Sequence, residues 1–167
     1  MQDNGSIEFG RVLMKPGKPL TFATFNRNNK TKLMFATPGN PVSSYVTSIL
    51  FVIPSIRSLI GIEDPNYPKI EITLRHNIRL DPQRPEYHRA TVWWDKNDGI
   101  FYGQSTGSQA SSRLLSMRSA NALLELPQSS ETLQKGDKVS ALLIGELPGP
   151  SFHPPQPKIS HHKHHVC

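Results

Sequence analysis

The chain has a single cysteine among its 167 residues, Cys167. An internal disulfide framework is therefore excluded, and a reducing cytosolic (cytoplasmic) setting is the simpler expectation. Long apolar runs are lacking as well. No stretch approaches the roughly 18 apolar residues of a membrane span, and the opening MQDNGSIEFG lacks the basic-then-apolar order of a signal peptide. A soluble protein with no membrane span is expected. HExxH, CxxC, GxSxG and GxxxxGKS/T are all absent, so there is no local signal for a zinc protease, a structural zinc, a serine esterase or a P-loop. Acidic residues are outnumbered, 13 against 19 basic, for a formal net charge of +6. That balance favours an acidic partner: nucleic acid, an anionic lipid surface or a phosphorylated small molecule. Nucleic acid is not expected, because Trp93, Trp94 and Tyr102 are not interleaved with basic residues. The two tryptophans also point to opposite faces of a strand, which places at least one in a core.

Proline is plentiful, at 15 residues with 36% hydrophobic content, which suits a loop-rich α/β or β protein rather than a helical bundle. FGRVLM from Phe9 to Met14 reads as a strand ending at the loop KPGKP, Lys15 to Pro19. LTFATF from Leu20 and KLMFAT from Lys32, joined by NRNNK, read as a hairpin. Val42, Tyr45, Val46, Ile49, Leu50, Ile53 and Ile56 recur at helical spacing, with Ser43 or Ser44 as cap, Pro54 as a kink and Gly61 as terminator. A boundary is expected at IEDPNYP, Ile62 to Pro68. Beyond it Ile70, Ile72 and Leu74 alternate with polar residues, and EYHRATVWWD, ALLEL and KVSALLIGEL repeat the strand theme. They suggest a small antiparallel barrel or sandwich. STGSQASSRLLSMRSAN, Ser105 to Asn121, reads as a loop with a short helical turn, and the last stretch, PGPSFHPPQPKISHHKHHVC, as a disordered tail. Its His161, His162, His164 and His165 lack the fixed geometry of a metal site, and no metal ligand is assigned.

The loop PGNP, Pro38, Gly39, Asn40 and Pro41, precedes a helix N-terminus. Glycine there permits close backbone approach, and free helix amides attract an oxyanion; a rigid turn without a ligand is the plain alternative. Arg11 and Lys15, four apart where a strand meets a loop, can leave one face of an extended segment, and Lys18 follows. Arg offers a planar fork and Lys a compact charge to an oxyanion, although solvated surface charge is the commoner outcome. Arg84, His88 and Arg89 in DPQRPEYHR, and Ser108, Ser111, Ser112 and Arg113 in TGSQASSR, combine guanidinium groups and hydroxyls that suit phosphate.

Taken together, MKPGKP, FATPGNPVSSYVTSILFVIPSIR, LDPQRPEYHRA and QSTGSQASSRLLSMRSANALLELP resemble the C-terminal part of the gephyrin E domain and of MoeA-type molybdopterin molybdenumtransferases, from about Phe9 to Leu147. The resemblance implies an α/β partial domain (MogA/MoaB-like, C-terminal portion) over residues 1–63. A small antiparallel β-barrel-like domain (domain IV) follows over 64–147, and a Pro/His-rich tail over 148–167. It implies insertion of molybdate into adenylylated molybdopterin, assisted by Mg²⁺, in a homodimer. Arg11, Lys15, Lys18, Pro38, Gly39, Asn40, Pro41, Arg89 and Ser111 fall at the family's anion-binding or pocket-shaping positions, and the functional aspartate is expected upstream of Met1. This segment alone is accordingly expected to lack turnover. The alternative that the resemblance carries is a scaffold anchoring inhibitory neurotransmitter receptors, with receptor-loop or cytoskeletal partners. LPQSSETLQKGD, which contains no aromatic residue, ranks that reading second.

Overall fold

The computed structural model describes residues 5–110, 114–149 and 152. It begins with an antiparallel sheet in the order β1-β2-β3, made of β1 (Gly5–Gly10), β2 (Thr21–Arg27) and β3 (Lys30–Ala36). The hairpin falls where the sequence suggests. Asn28 and Asn29 link its strands with φ of 53° and 57°, the left-handed pair of a type I′ turn, which asparagine tolerates and whose twist matches the strands. Phe9, Phe22 and Phe35 line up across the sheet with ring centroids 5.5 and 4.7 Å apart, and Phe9 reaches Phe51 of the helical segment at 6.0 Å. This aromatic row fastens helix to sheet. The first strand does not follow the apolar stretch Phe9 to Met14. It stops at Gly10 because Arg11 adopts φ 62°, which ends the extended run and sends the following loop towards the barrel.

Helix α1 (Pro41–Thr47) passes through a wide π-turn, Ser48–Val52, into α2 (Ile53–Leu59). The wide turn immediately precedes Pro54, which has no N–H and crowds the carbonyl one turn back, so the ladder opens instead of breaking. Gly61 ends the helix at φ 85°, and the Gly61 and Ile62 amides donate to Ser58 and Arg57 carbonyls at 3.0 Å each, the paired bonds of a glycine C-cap. By length and composition Pro41–Leu59 is apolar enough to cross a membrane, although its serines interrupt the apolar run. Its Val46 and Ile49 are buried in a cluster with Met14, Leu123 and Leu142.

That cluster joins helix to barrel. Strands β4 (Lys69–Leu74), β6 (Glu86–Asp95), β7 (Ile100–Ser105), β8 (Ala122–Leu126) and β10 (Lys138–Leu143) close in the order β10-β4-β7-β6-β8, while β5 (Ile78–Arg79) and β9 (Thr132–Leu133) form a separate pair. β4 and β7 run parallel and the other barrel pairs antiparallel, so the barrel is not purely antiparallel as expected. Ile72, Leu74, Ala90, Val92, Leu124 and Ala141 fill its interior. Leu123 and Leu142 belong instead to the cluster under the helix, because alternate residues of a strand face opposite sides. Trp93 is buried at 6% exposure, on the face opposite Val92 and against Phe152, and Trp94, near the end of β6, is 51% exposed.

The KPGK loop lies between the two parts. The Lys15 amide donates to the Pro85 carbonyl at 2.9 Å, and the Tyr87 amide donates to the Lys15 carbonyl at 2.8 Å, so Lys15 pairs with the start of β6 as a single parallel bridge to Glu86. Gly17 makes this possible. It sits at φ 116°, and a Cβ there would lie 2.7 Å from Thr47 Cγ2 and 3.0 Å from Met14 Cε. Gly17→Ala should therefore lose about 2–4 kcal/mol, combining left-handed strain with overpacking, read as a lower urea midpoint at unchanged slope. A variant within about 0.5 kcal/mol of wild type would show that the loop has room to move.

Candidate anion site between loop, helix and barrel

The PGNP loop is self-contained. Asn40 Oδ1 accepts from the Val42 and Ser43 amides at 3.1 and 3.2 Å, and the Asn40 carbonyl accepts from Ser44 at 2.8 Å. Pro41 has no N–H. The cap is thus Asn40 rather than Ser43 or Ser44, and it takes up the helix's first amides, as a rigid turn would. Pro38 is buried and Gly39 is exposed. A Cβ on Gly39 would meet nothing within 4 Å, so no contact within the chain requires glycine there.

Arg11 and Lys15 do not share a strand face, since residue 11 is left-handed and Lys15 turns into the barrel. Arg11 and Lys18 are exposed. Lys15 Nζ lies 3.2 Å from Asp81 Oδ2 and 3.1 Å from Glu86 Oε2. Asp81 is aimed by an Asx turn, its Oδ1 accepting from the Gln83 and Arg84 amides at 2.8 and 3.2 Å. Burial pulls the Lys15 ammonium down, but the bonds from Glu86 and Asp81 outweigh it and hold its pKa above the usual lysine value. The Gln83 amide, with Lys15, lowers Asp81. Burial raises Glu86, yet His88 and Lys15 together carry it below the ordinary carboxylate value. The two carboxylates were not singled out from sequence. DPQRPE places them there, but only the folded chain brings Lys15 between them.

Among the described residues the Arg89 guanidinium makes no salt bridge within 4.0 Å. Arg89 is fully buried at 0% exposure on β6. Its Nε donates to Ser116 Oγ at 2.8 Å and its Nη2 to the Ala110 carbonyl at 3.5 Å, while Nη1 is buried with no hydrogen-bond partner among the described residues. Burial lowers its pKa from the usual guanidinium value, opposed by the charge of Glu86; arginine nevertheless stays protonated in proteins. Gln109 clasps the same residue, its Oε1 accepting from the Arg89 amide at 2.8 Å and its Nε2 donating to the Arg89 carbonyl at 3.2 Å. The 3₁₀ turn Leu114–Met117, which carries Ser116, lies beside α1, and α1 meets the KPGK loop through Thr47 and Gly17. Arg89 is thereby linked to the KPGK loop through Ser116, the 3₁₀ turn and α1. Ser111, Ser112, Arg113 and the four tail histidines lie outside the described residues. Gln109 and Ser116, the partners of Arg89, escaped the sequence reading because a Gln and a Ser in a polar loop carry no local signal.

Residues 71–144 match the family model of the MoeA C-terminal region (domain IV), so the barrel is a domain of that class. The chain is 50% identical over 161 residues to gephyrin of Dictyostelium discoideum, covering 86% of this chain and 22% of that protein. It is 31% identical over 142 residues to a molybdopterin molybdenumtransferase of Nostoc sp., covering 83% and 31%. A crystal structure of a molybdopterin biosynthesis MoeA protein from Pyrococcus horikoshii superposes with TM-score 0.59 at 26% identity, over 82% of this chain and 32% of that one. The chain belongs to the family of gephyrin and the MoeA-type molybdopterin molybdenumtransferases, and it spans about a fifth to a third of the length of these relatives.

The Lys15 clamp makes a prediction about acid. Carboxylates held below their ordinary values stabilise the fold above those values and lose that contribution as pH falls through the depressed ones. The raised Lys15 contributes at every lower pH and fails only in strong alkali. Lys15→Met should cost about 1–3 kcal/mol at pH 7, less than a fully buried pair because the Lys15 side chain is 32% exposed. The difference from wild type should shrink as pH drops below about 4, where carboxylates protonate. Urea melts from pH 3 to 7 read this directly, and a pH-independent difference would contradict it.

Proposed function

We propose that this chain supplies the C-terminal part of an enzyme of molybdenum cofactor biosynthesis, one that inserts molybdate into adenylylated molybdopterin. The observation that carries the reading is the buried Arg89 guanidinium with an open N–H donor on Nη1. A buried cation without a carboxylate partner is costly, and an oxyanion would both neutralise it and take the free donor through charge-assisted bonds. Ser116 and Gln109 hold the guanidinium and its strand in place, which is the preorganisation that transfer of an anionic group needs. In this proposal Ser111 is an anion-binding residue, as the family resemblance implies. Arg11 and Lys18 raise the local positive potential, Lys15 positions the loop, and Pro38, Gly39, Asn40 and Pro41 shape the wall. Residues 1–63 would be the C-terminal portion of a MogA/MoaB-like α/β domain, 64–147 the terminal barrel domain and 148–167 a tail.

The proposed setting is a cytosolic homodimer working with Mg²⁺. The described residues include no group of three His, Cys, Asp or Glu side chains able to hold a metal ion, and the Asp81 and Glu86 carboxylates already share Lys15. They do not fit Mg²⁺, and no step is drawn through it. The anchoring of receptor loops is a second reading, favoured by a groove of about 520 Å³ between helix and barrel that includes Phe51, Pro54, Tyr67, Lys69 and Tyr87. An amphipathic receptor-loop peptide that fails to bind at high micromolar concentration would remove it.

The test of the main reading places this segment in a full-length family member and asks whether it restores a molybdoenzyme in a bacterium deficient in the transferase. Restoration is expected, with Arg89→Ala lowering cofactor formation about 10–100-fold, the worth of one or two charge-assisted bonds. Failure of the unsubstituted protein, although folded, would overturn the proposal.

A further inference from the structure

A second polar constellation stands at one end of the barrel, away from the Arg89 guanidinium. Ser105 pairs with Ala90 across the β6–β7 ladder, and Glu86 and His88 precede Ala90 at alternate positions of β6, so all three side chains belong to one face. His88 Nε2 lies 2.7 Å from Ser105 Oγ, and Nδ1 lies 3.0 Å from Glu86 Oε1. His88 is 7% exposed and Glu86 5%. Glu86 is also bound to Lys15 at 3.1 Å, which favours its anionic form. A carboxylate only accepts, so the neutral imidazole donates through Nδ1 and keeps Nε2 as the acceptor for the serine hydroxyl. A hydroxyl on a base, and that base on a buried carboxylate, is the arrangement that activates a serine for attack.

The surroundings suit a substrate. Ser105 and His88 line a cleft of about 410 Å³, walled also by His76, Asn77, Arg79 and Gly107. The Gly107 amide and Gln109 Nε2 donate to Ser105 Oγ at 3.1 and 3.4 Å, and Oγ lies 3.2 Å from the Gly107 carbonyl, which fixes the serine at the approach to the cleft. A Cβ on Gly107 would meet nothing within 4 Å, which leaves that approach open. Arg79 gives the wall a positive charge.

We propose that Ser105, His88 and Glu86 form a hydrolytic triad for small carboxylic esters that carry a negative charge. Ser105 Oγ bonds to the ester carbonyl carbon while its proton passes to His88 Nε2. The carbon–oxygen bond to the alcohol then breaks, and the leaving alcohol takes that proton. Water attacks the acyl-serine with His88 again accepting a proton, which returns to Ser105 Oγ as the acid departs. The sum is ester plus water giving acid plus alcohol, and Glu86 remains a carboxylate throughout, steadying the imidazolium. No local motif announces these residues, because strand pairing rather than sequence proximity brings Ser105 to His88.

The test uses the chain with a fluorophosphonate probe, which captures nucleophilic serines, and with p-nitrophenyl succinate. Mass spectrometry should place the probe on Ser105, and the succinate ester should be hydrolysed. Ser105→Ala should abolish both, His88→Gln should lower both at least about 100-fold, the usual worth of a general base, and Ser140→Ala should change neither. Circular dichroism establishes that each variant is folded. Should Ser105→Ala unfold through loss of its turn bond to Gly107, His88→Gln and the unsubstituted chain still decide. Folded wild-type chain that takes no probe at Ser105, or hydrolysis that survives in a folded Ser105→Ala or His88→Gln chain, would overturn the triad.

Discussion

The joint between the N-terminal segment and the barrel depends on how Lys15 is held against the start of β6. Two backbone bonds, at 2.9 and 2.8 Å, and two ion pairs, at 3.2 and 3.1 Å, converge on this one residue. Each backbone bond contributes about 1 kcal/mol net. The apolar cluster beneath, from Met14 through Val46 and Ile49 to Leu123 and Leu142, contributes more, at about 1.5–3 kcal/mol for each well-buried side chain. Packing therefore supplies most of the adhesion between helix and barrel. The polar clamp supplies register: it decides which residue of the KPGK loop meets which residue of β6, and β6 also carries Arg89.

The clamp redistributes charge as well. Two carboxylates occupy Lys15, and Arg11 and Lys18 face solvent. The buried positive charge is left to Arg89, where screening by water is weakest and one donor of the guanidinium is open. Glu86 couples the two regions, with one oxygen on Lys15 and the other on His88. A change at the loop therefore reaches the barrel mouth through a single carboxylate.

Much of the fold was legible in the residues. β6 and β8 run as EYHRATVWWD and ALLEL suggest, and the β2–β3 hairpin turns on its two asparagines, because local pattern and packing agree there. β7, Ile100–Ser105, was not read as a strand. Its Gly103 and Gln104 interrupt the apolar alternation, and long-range pairing with β6 and β4 holds it. The ends of β1 and the choice of Asn40 over Ser43 as cap hang on individual φ angles and on a side chain folding back, which spacing does not encode. At the site, basic and hydroxyl residues could be marked as candidates, but their allocation could not. That Lys15 would be neutralised while Arg89 stayed open depends on Asp81 and Glu86 approaching from the barrel.

Native-state hydrogen exchange tests the central claim, that the joint and the barrel are one cooperative unit. The Lys15 and Tyr87 amides, which belong to the joint, are compared with the Val92 amide, bonded to buried Asn121 in the barrel wall at 2.7 Å. If the clamp and the apolar cluster act together with the barrel, the three should exchange with opening free energies within about 1.4 kcal/mol of one another. Exchange at Lys15 and Tyr87 a hundred-fold or more faster than at Val92 would mean that the joint opens on its own, and that the KPGK loop is not held in register with Arg89.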